Sequence, residues 1–118
     1  MERDLQSLLD MLPSTKIVMG HIAGRSRSEL DIDLQFQDSV VHRLLIIGET
    51  SKRVFEAMRQ SIPIIPWTAI SGMRNRLIHE YDEINLNIVW ETVVNNLPGL
   101  ILELERIVPP DEEISPIN

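Results

Sequence analysis

Between Asp33 and Ser61 the apolar residues Phe36, Val40, Leu44, Ile47, Val54 and Met58 recur in mostly three- and four-residue steps. That period belongs to one face of an α-helix, and it spans too many residues for a strand. Val41, Leu45 and Phe55 widen the stripe, so the spacing predicts a long central helix, Asp33 to Ser61, buried on more than one side. Gly48 interrupts it where alanine is preferred by roughly 1 kcal/mol. A glycine there lets another backbone come close. A central helix needs partners, and the rest of the chain supplies helical patterns with almost no strand alternation. The fold class expected is all-α, an up-and-down bundle of four to five helices.

The partner helices can be placed from their apolar steps and breakers. Leu5, Leu8, Leu9, Leu12 and Ile17 define a first helix from Arg3 to about Gly24, with a kink or break expected at Pro13 and a weak end at Gly20 and Gly24. His21 in that end reads as a surface histidine. Arg25 to Asp31 reads as a connection leading into a short turn of helix, with Ser28 as N-cap and Asp31 three residues on; Arg25 and Arg27 read as solvated charges. Pro63 and Pro66 push Ile62 and Ile65 out of helical conformation, and Pro66 suits the start of a helix anchored by Trp67. That helix has Ile70, Met73, Leu77 and, at its edge, Ile78 as its apolar face. After the polar connector Asp82–Asn85, a last helix starts at Asn85 or Asn87 and carries Leu86, Val89, Trp90, Val93, Leu97, Leu100, Ile101 and Leu104, with a bend expected at Pro98-Gly99. Val108-Pro109-Pro110 should stop it. The organisation expected is a single helical domain over residues 1–108 and a short acidic tail over 109–118.

Composition narrows the function. A chain of 118 residues is long enough for a hydrophobic core without staples, and it has no cysteine, which removes disulfides, thiolate metal sites and cysteine nucleophiles. The longest unbroken apolar run, Leu44-Leu45-Ile46-Ile47, is far too short to span a membrane, and the charged start Met1-Glu2-Arg3-Asp4 is unlike a signal peptide. A cytoplasmic protein is expected. The net charge of −7 argues against broad nucleic-acid affinity, but it is unevenly spread. Residues 25–76 hold eight Lys/Arg against six Asp/Glu, whereas residues 77–118 hold one arginine against nine carboxylates. A local cationic site is compatible with that distribution.

The stretch Ser71-Gly72-Met73-Arg74-Asn75-Arg76-Leu77-Ile78-His79-Glu80-Tyr81 concentrates the polar chemistry, and Tyr81 is the one tyrosine in the chain. Arginine offers a fixed charge in a fork suited to phosphate, and histidine can take and give a proton near neutrality. Three scattered histidines make a poor metal set, and neither a phosphate-binding glycine loop nor a serine nucleophile elbow occurs. Acid–base chemistry at phosphorus, without metal or cofactor, needs only residues of this stretch. Spacing alone fits a plain polar helix face equally well. Arg74 and His79 are five apart, about 140° around a helix, so a single helix does not set them side by side; Arg74 must reach around, or a second chain must complete the site. Upstream, Glu49 reads as a helix-surface ion-pair residue beside Lys52 and Arg53 at i+3 and i+4.

Ile65-Pro66-Trp67, the motif Arg74-x4-His79-x-Tyr81, the helix Asn87-Ile88-Val89-Trp90-Glu91 and the upstream Ile46-Ile47-Gly48-Glu49 together resemble the HepT family, within the wider HEPN group, over roughly residues 3–108. HepT is the toxin of HepT/MntA toxin–antitoxin modules (type VII). The resemblance implies a homodimer in which motif helices of two chains face a shared cleft. It implies a metal-independent ribonuclease acting on tRNA or mRNA, with Arg74 and His79 catalytic and Asn75 assisting; Arg76, Glu49, Lys52 and Arg53 are candidate supporting residues. It also implies a partner, an MntA-like minimal nucleotidyltransferase that silences the toxin by moving AMP from ATP to Tyr81. A different class of function, a non-catalytic helical module that binds a nucleotidyltransferase and presents substrate or nucleotide, matches the acidic balance.

Overall fold

The structure, a computed structural model, describes residues 2–107, and among them there are helices and connections but no strand. The helices are α1 (Glu2–Ile22), α2 (Arg27–Ile32), α3 (Leu34–Ser51), α4 (Glu56–Ser61), α5 (Trp67–His79) and α6 (Leu86–Ile107). The all-α expectation holds, with four helices of three or more turns and two short ones. α3 is central, packed against α1 on one side and α5 on the other, while α6 covers α1. Val40, Leu44 and Ile47 of α3 join Leu8, Met11 and Val18 of α1, Ile70, Met73 and Leu77 of α5, and Val89, Val93, Leu97, Leu100 and Leu104 of α6 in one buried core. The expected stop of the last helix at Val108-Pro109-Pro110 and the acidic tail from Asp111 lie outside the described residues.

The central helix does not run to Ser61. It stops at Ser51, and the chain turns before α4 starts at Glu56. Local bonds tighten the exit: the Ser51 hydroxyl donates to the Gly48 carbonyl (2.8 Å), and the Val54 N–H donates to the Ser51 carbonyl (3.2 Å). The decisive partner comes from α1. Asp4, only 3% exposed, accepts the Phe55 N–H at 3.0 Å and so replaces the acceptor that a continuous helix would provide. Val54 is thereby buried, and Phe55, expected in the apolar stripe, is 54% exposed under the Arg3 guanidinium.

Three further details bear on the sequence expectation. α1 passes through Pro13 without a break. The proline is exposed, while Met11, Leu12, Ser14, Thr15 and Val18 on either side are buried, so packing holds the helix together across the missing backbone bond. α2 is capped by Ser26 rather than Ser28: the Ser26 N–H donates to Glu29 Oε1 at 2.7 Å, the return half of a capping box. Likewise α6 runs through Pro98 as one helix, with that proline exposed. The other caps follow the sequence. Asp33 caps α3 by accepting the Phe36 N–H (3.1 Å), and Asn85 caps α6 by accepting the N–H groups of Asn87 and Ile88 (3.0 and 3.2 Å).

The approach to α5 is pinned by Trp67. Its indole N–H donates to the Ile62 carbonyl at 3.0 Å, and Ile65 of the connector is buried. Pro66 precedes the first helical residue with φ −78°. This fixes where α5 begins, and therefore which of its side chains meet α3.

Candidate active site

The site is built where α5 crosses α3. A Cβ placed on Gly48 would lie 2.8 Å from Arg74 Cγ and closer still to Arg74 Cβ. The bare glycine is what lets the arginine stem lie against the backbone of α3, the close approach expected from the sequence. From there the guanidinium turns to Glu49: Nε donates to Glu49 Oε2 at 2.7 Å, and Nη1 donates to Asn75 Oδ1 at 3.0 Å. Two different edges of the guanidinium are thus held by a carboxylate from α3 and an amide from α5. Among the described residues no side chain takes a hydrogen bond from the third edge, Nη2. The side chain of Arg74 is 18% exposed and that of Glu49 44%, so the guanidinium is the shielded partner and the carboxylate remains open to solvent.

Glu49 stays ionised more readily than an ordinary glutamate. The hydrogen bond from Arg74 is the main cause; partial burial opposes it, and the charges of Arg74, Lys52 and Arg53 add to it. Glu49 is therefore an ion-pair residue, as expected. Its partner, however, is Arg74 of another helix, 25 residues away. Lys52 and Arg53 are exposed and act on Glu49 only as nearby charges.

The remaining motif residues lie further along α5. His79 is in its last turn, exposed, and among the described residues nothing hydrogen-bonds its ring. Arg76 is exposed and faces Glu80 at 3.8 Å, a loose pair. Tyr81, just past the helix, is 76% exposed. The structure thus brings Arg74, Asn75 and Glu49 together and leaves His79, Arg76 and Tyr81 apart from them. Arg74 points across α3, and His79 lies about 140° around the helix from it. Among the described residues no group of three His, Asp or Glu side chains is placed to hold a metal ion. Among the described residues no helix is long and apolar enough to cross a membrane.

Besides the Glu49–Arg74 pair, sequence reasoning missed the partnership of Asp4 with Phe55. It was legible only as a charged residue at helical spacing beside Leu5 and Leu8, which gives no hint of a buried carboxylate.

A helical bundle presenting Arg-x4-His-x-Tyr at the end of a helix packed on a Gly-Glu step defines a HEPN-type protein. The family profile described as "Ribonuclease HepT-like" matches residues 11–107, and the chain belongs to that HepT-like family. It is 32% identical over 108 residues to "Putative RNase MJ0127" of Methanocaldococcus jannaschii, covering 91% of this chain and 89% of that protein. "Putative RNase TTE0752" of Caldanaerobacter subterraneus subsp. tengcongensis is 32% identical over 98 residues, 83% of this chain and 88% of its own. "Probable ribonuclease HepT" of Thermococcus cleftensis is 35% identical over 75 residues, 64% of this chain and 68% of its own. No solved structure matches the chain.

Proposed function

We propose that this protein is a metal-independent endoribonuclease, the toxin of a type VII toxin–antitoxin module acting in the cytoplasm, and that it works as a homodimer. The observation that carries this reading is the arginine of the family motif, held on two edges by Glu49 and Asn75, with no hydrogen-bond acceptor on its Nη2 edge among the described residues. A guanidinium fixed in advance suits the stabilisation of charge developing on a phosphoryl group. In the reaction, the RNA 2′-hydroxyl attacks the adjacent phosphorus. His79 takes the hydroxyl proton, a solvent water gives one to the departing 5′-oxygen, and His79 returns its proton to the hydroxide so formed, leaving a 2′,3′-cyclic phosphate and a 5′-hydroxyl end. Arg74 neutralises the charge gained by the non-bridging oxygens. His79 of one copy meets Arg74 of the other, which answers the angular separation within a chain.

The exposure of Tyr81, 76%, suits a modified residue. An MntA-like nucleotidyltransferase would join its phenol oxygen to the α-phosphorus of ATP and release pyrophosphate. The adenylate adds negative charge and bulk one residue beyond Glu80 and opposes entry of an RNA phosphate. Co-production with such a partner and ATP should yield a protein one adenylate heavier by intact mass, and Tyr81→Phe should abolish the gain; modification retained in Tyr81→Phe places the acceptor elsewhere.

The ribonuclease test uses protein purified away from any partner, with chelator present. Wild type should cut tRNA or mRNA, and Arg74→Ala and His79→Ala should each lose roughly 10²–10⁴-fold in rate. Tight nucleotidyltransferase binding with no cleavage by any of the three would instead support the non-catalytic module suggested by the net charge of −7.

A further inference from the structure

Beside the motif, α4, the Ile62–Pro66 connector and the first turns of α5 form a shallow, open cleft of about 600 Å³, lined by Arg59, Gln60, Pro63, Trp67, Thr68 and Ser71 among others. That is within the range of pockets that take small organic groups, about 300–1,000 Å³. Its one carboxylate, Glu56, is matched by Arg59 at 3.2 Å, so the cleft is not hostile to an anionic strand. Its aromatic wall is fixed: the Trp67 ring is tied through its N–H to the Ile62 carbonyl at 3.0 Å and is only partly buried. A pinned indole in a cleft that is also lined by the Arg59 guanidinium offers a stacking surface that accepts any base. The polar rim adds the Ser71 and Thr68 hydroxyls and the amide carbonyl of Gln60, whose nitrogen is already engaged by Glu56 at 3.0 Å.

The cleft is in register with the candidate active site. Ser71, Asn75 and His79 follow one another at four-residue steps along one face of α5, so the cleft opens about 6 Å along the helix from Asn75 and about 12 Å from His79. An extended strand covers that distance in one or two nucleotides. We infer that this cleft is a subsite for a nucleotide flanking the cleaved phosphate, its base stacked on Trp67 and its polar edges met by Thr68, Ser71 and Gln60. The inference rests on the ribonuclease reading and adds to it that the protein selects RNA strands extending past the cut, not isolated dinucleotide steps.

The test compares a dinucleoside monophosphate with a six-nucleotide RNA containing the same step, using wild type, Thr68→Glu and Thr68→Ser. Thr68 is exposed, and a carboxylate there enters the cleft without disturbing the core. The expected result is that wild type prefers the longer RNA through KM, that Thr68→Glu cuts this preference about tenfold or more, and that Thr68→Ser retains it. Cleavage with the same length preference in wild type and Thr68→Glu overturns the subsite and leaves the ribonuclease reading standing. Wild type that cuts neither RNA overturns both. A second measurement does not depend on the Thr68 variant: in protein carrying Trp90→Phe and His79→Ala, saturating six-nucleotide RNA should quench Trp67 fluorescence. Binding seen by anisotropy without quenching also overturns the subsite.

Discussion

Replacing Gly48 by alanine tests the contact on which the site is built. In a helix interior the substitution ordinarily stabilises by roughly 0.5–1 kcal/mol, because alanine restricts the unfolded chain. Here the new methyl meets Arg74 Cβ and Cγ, the latter 2.8 Å away, and Arg74 Cα at 3.4 Å. These atoms are tied to the backbone of α5 and cannot swing aside like a chain end, so the helices must separate or slide. Overpacking of this kind costs about 1–3 kcal/mol. Gly72→Ala is the matched control, since a Cβ there meets nothing within 4 Å and gains the propensity without the clash. The difference between the two variants is then the overpacking cost itself, about 1–3 kcal/mol, or roughly 4–12 °C in melting midpoint at about 4 °C per kcal/mol. Thermal unfolding followed by circular dichroism reads it directly. RNA cleavage should fall roughly tenfold to a hundredfold in Gly48→Ala as Arg74 moves off its position. Equal midpoints for Gly48→Ala and Gly72→Ala would refute the close approach of α3 and α5.

Two further perturbations probe the same framework. Glu49 has its carboxyl held below the ordinary 4.5 by Arg74, so its contribution to stability is fully present above pH 4.5 and is lost as pH falls through the lower, folded value. Glu49→Gln should therefore be less stable than wild type near neutrality, with the two curves converging in acid, as followed by urea unfolding across pH; a constant gap from pH 7 down to strong acid would contradict the pairing. Asp4→Ala leaves the Phe55 N–H without its 3.0 Å acceptor and should destabilise by about 1–3 kcal/mol, with hydrogen exchange accelerating at the Phe55 amide; unchanged exchange there would show that Asp4 does not set the turn between α3 and α4.

Much of this architecture was legible because apolar spacing reports the faces that meet the core. Ile70, Met73 and Leu77 in α5 and Val89, Val93, Leu97, Leu100 and Leu104 in α6 are buried as their steps require. The starts of α3 and α6, expected near Asp33 and at Asn85 or Asn87, were readable because the side chains that cap them are local in sequence. The end of α3 was misplaced because its partner is distant in sequence, whereas the α2 cap was misplaced between two nearby serines, Ser26 and Ser28. The apolar steps run on past Ser51, but a carboxylate 51 residues upstream captures the Phe55 N–H and ends the regular pattern. Pro13 announces a kink or a break, and buried neighbours on both sides keep α1 unbroken. At the site, Gly48 revealed a close approach without saying to what. The sequence offered Lys52 and Arg53 as neighbours of Glu49, whereas the fold delivers Arg74, because only tertiary packing decides which helix lies over the glycine.

The two-chain site is tested most directly by mixing two inactive variants. Arg74→Ala and His79→Ala protein, each purified and free of partner, are unfolded together, refolded as an equal mixture and assayed for RNA cleavage in the presence of chelator. If each site takes Arg74 from one copy and His79 from the other, half of the dimers formed are mixed and each holds one intact site. About a quarter of wild-type activity should then return from two proteins that each keep about a hundredth or less alone. A mixture that exchanges subunits and remains inactive would contradict the shared site.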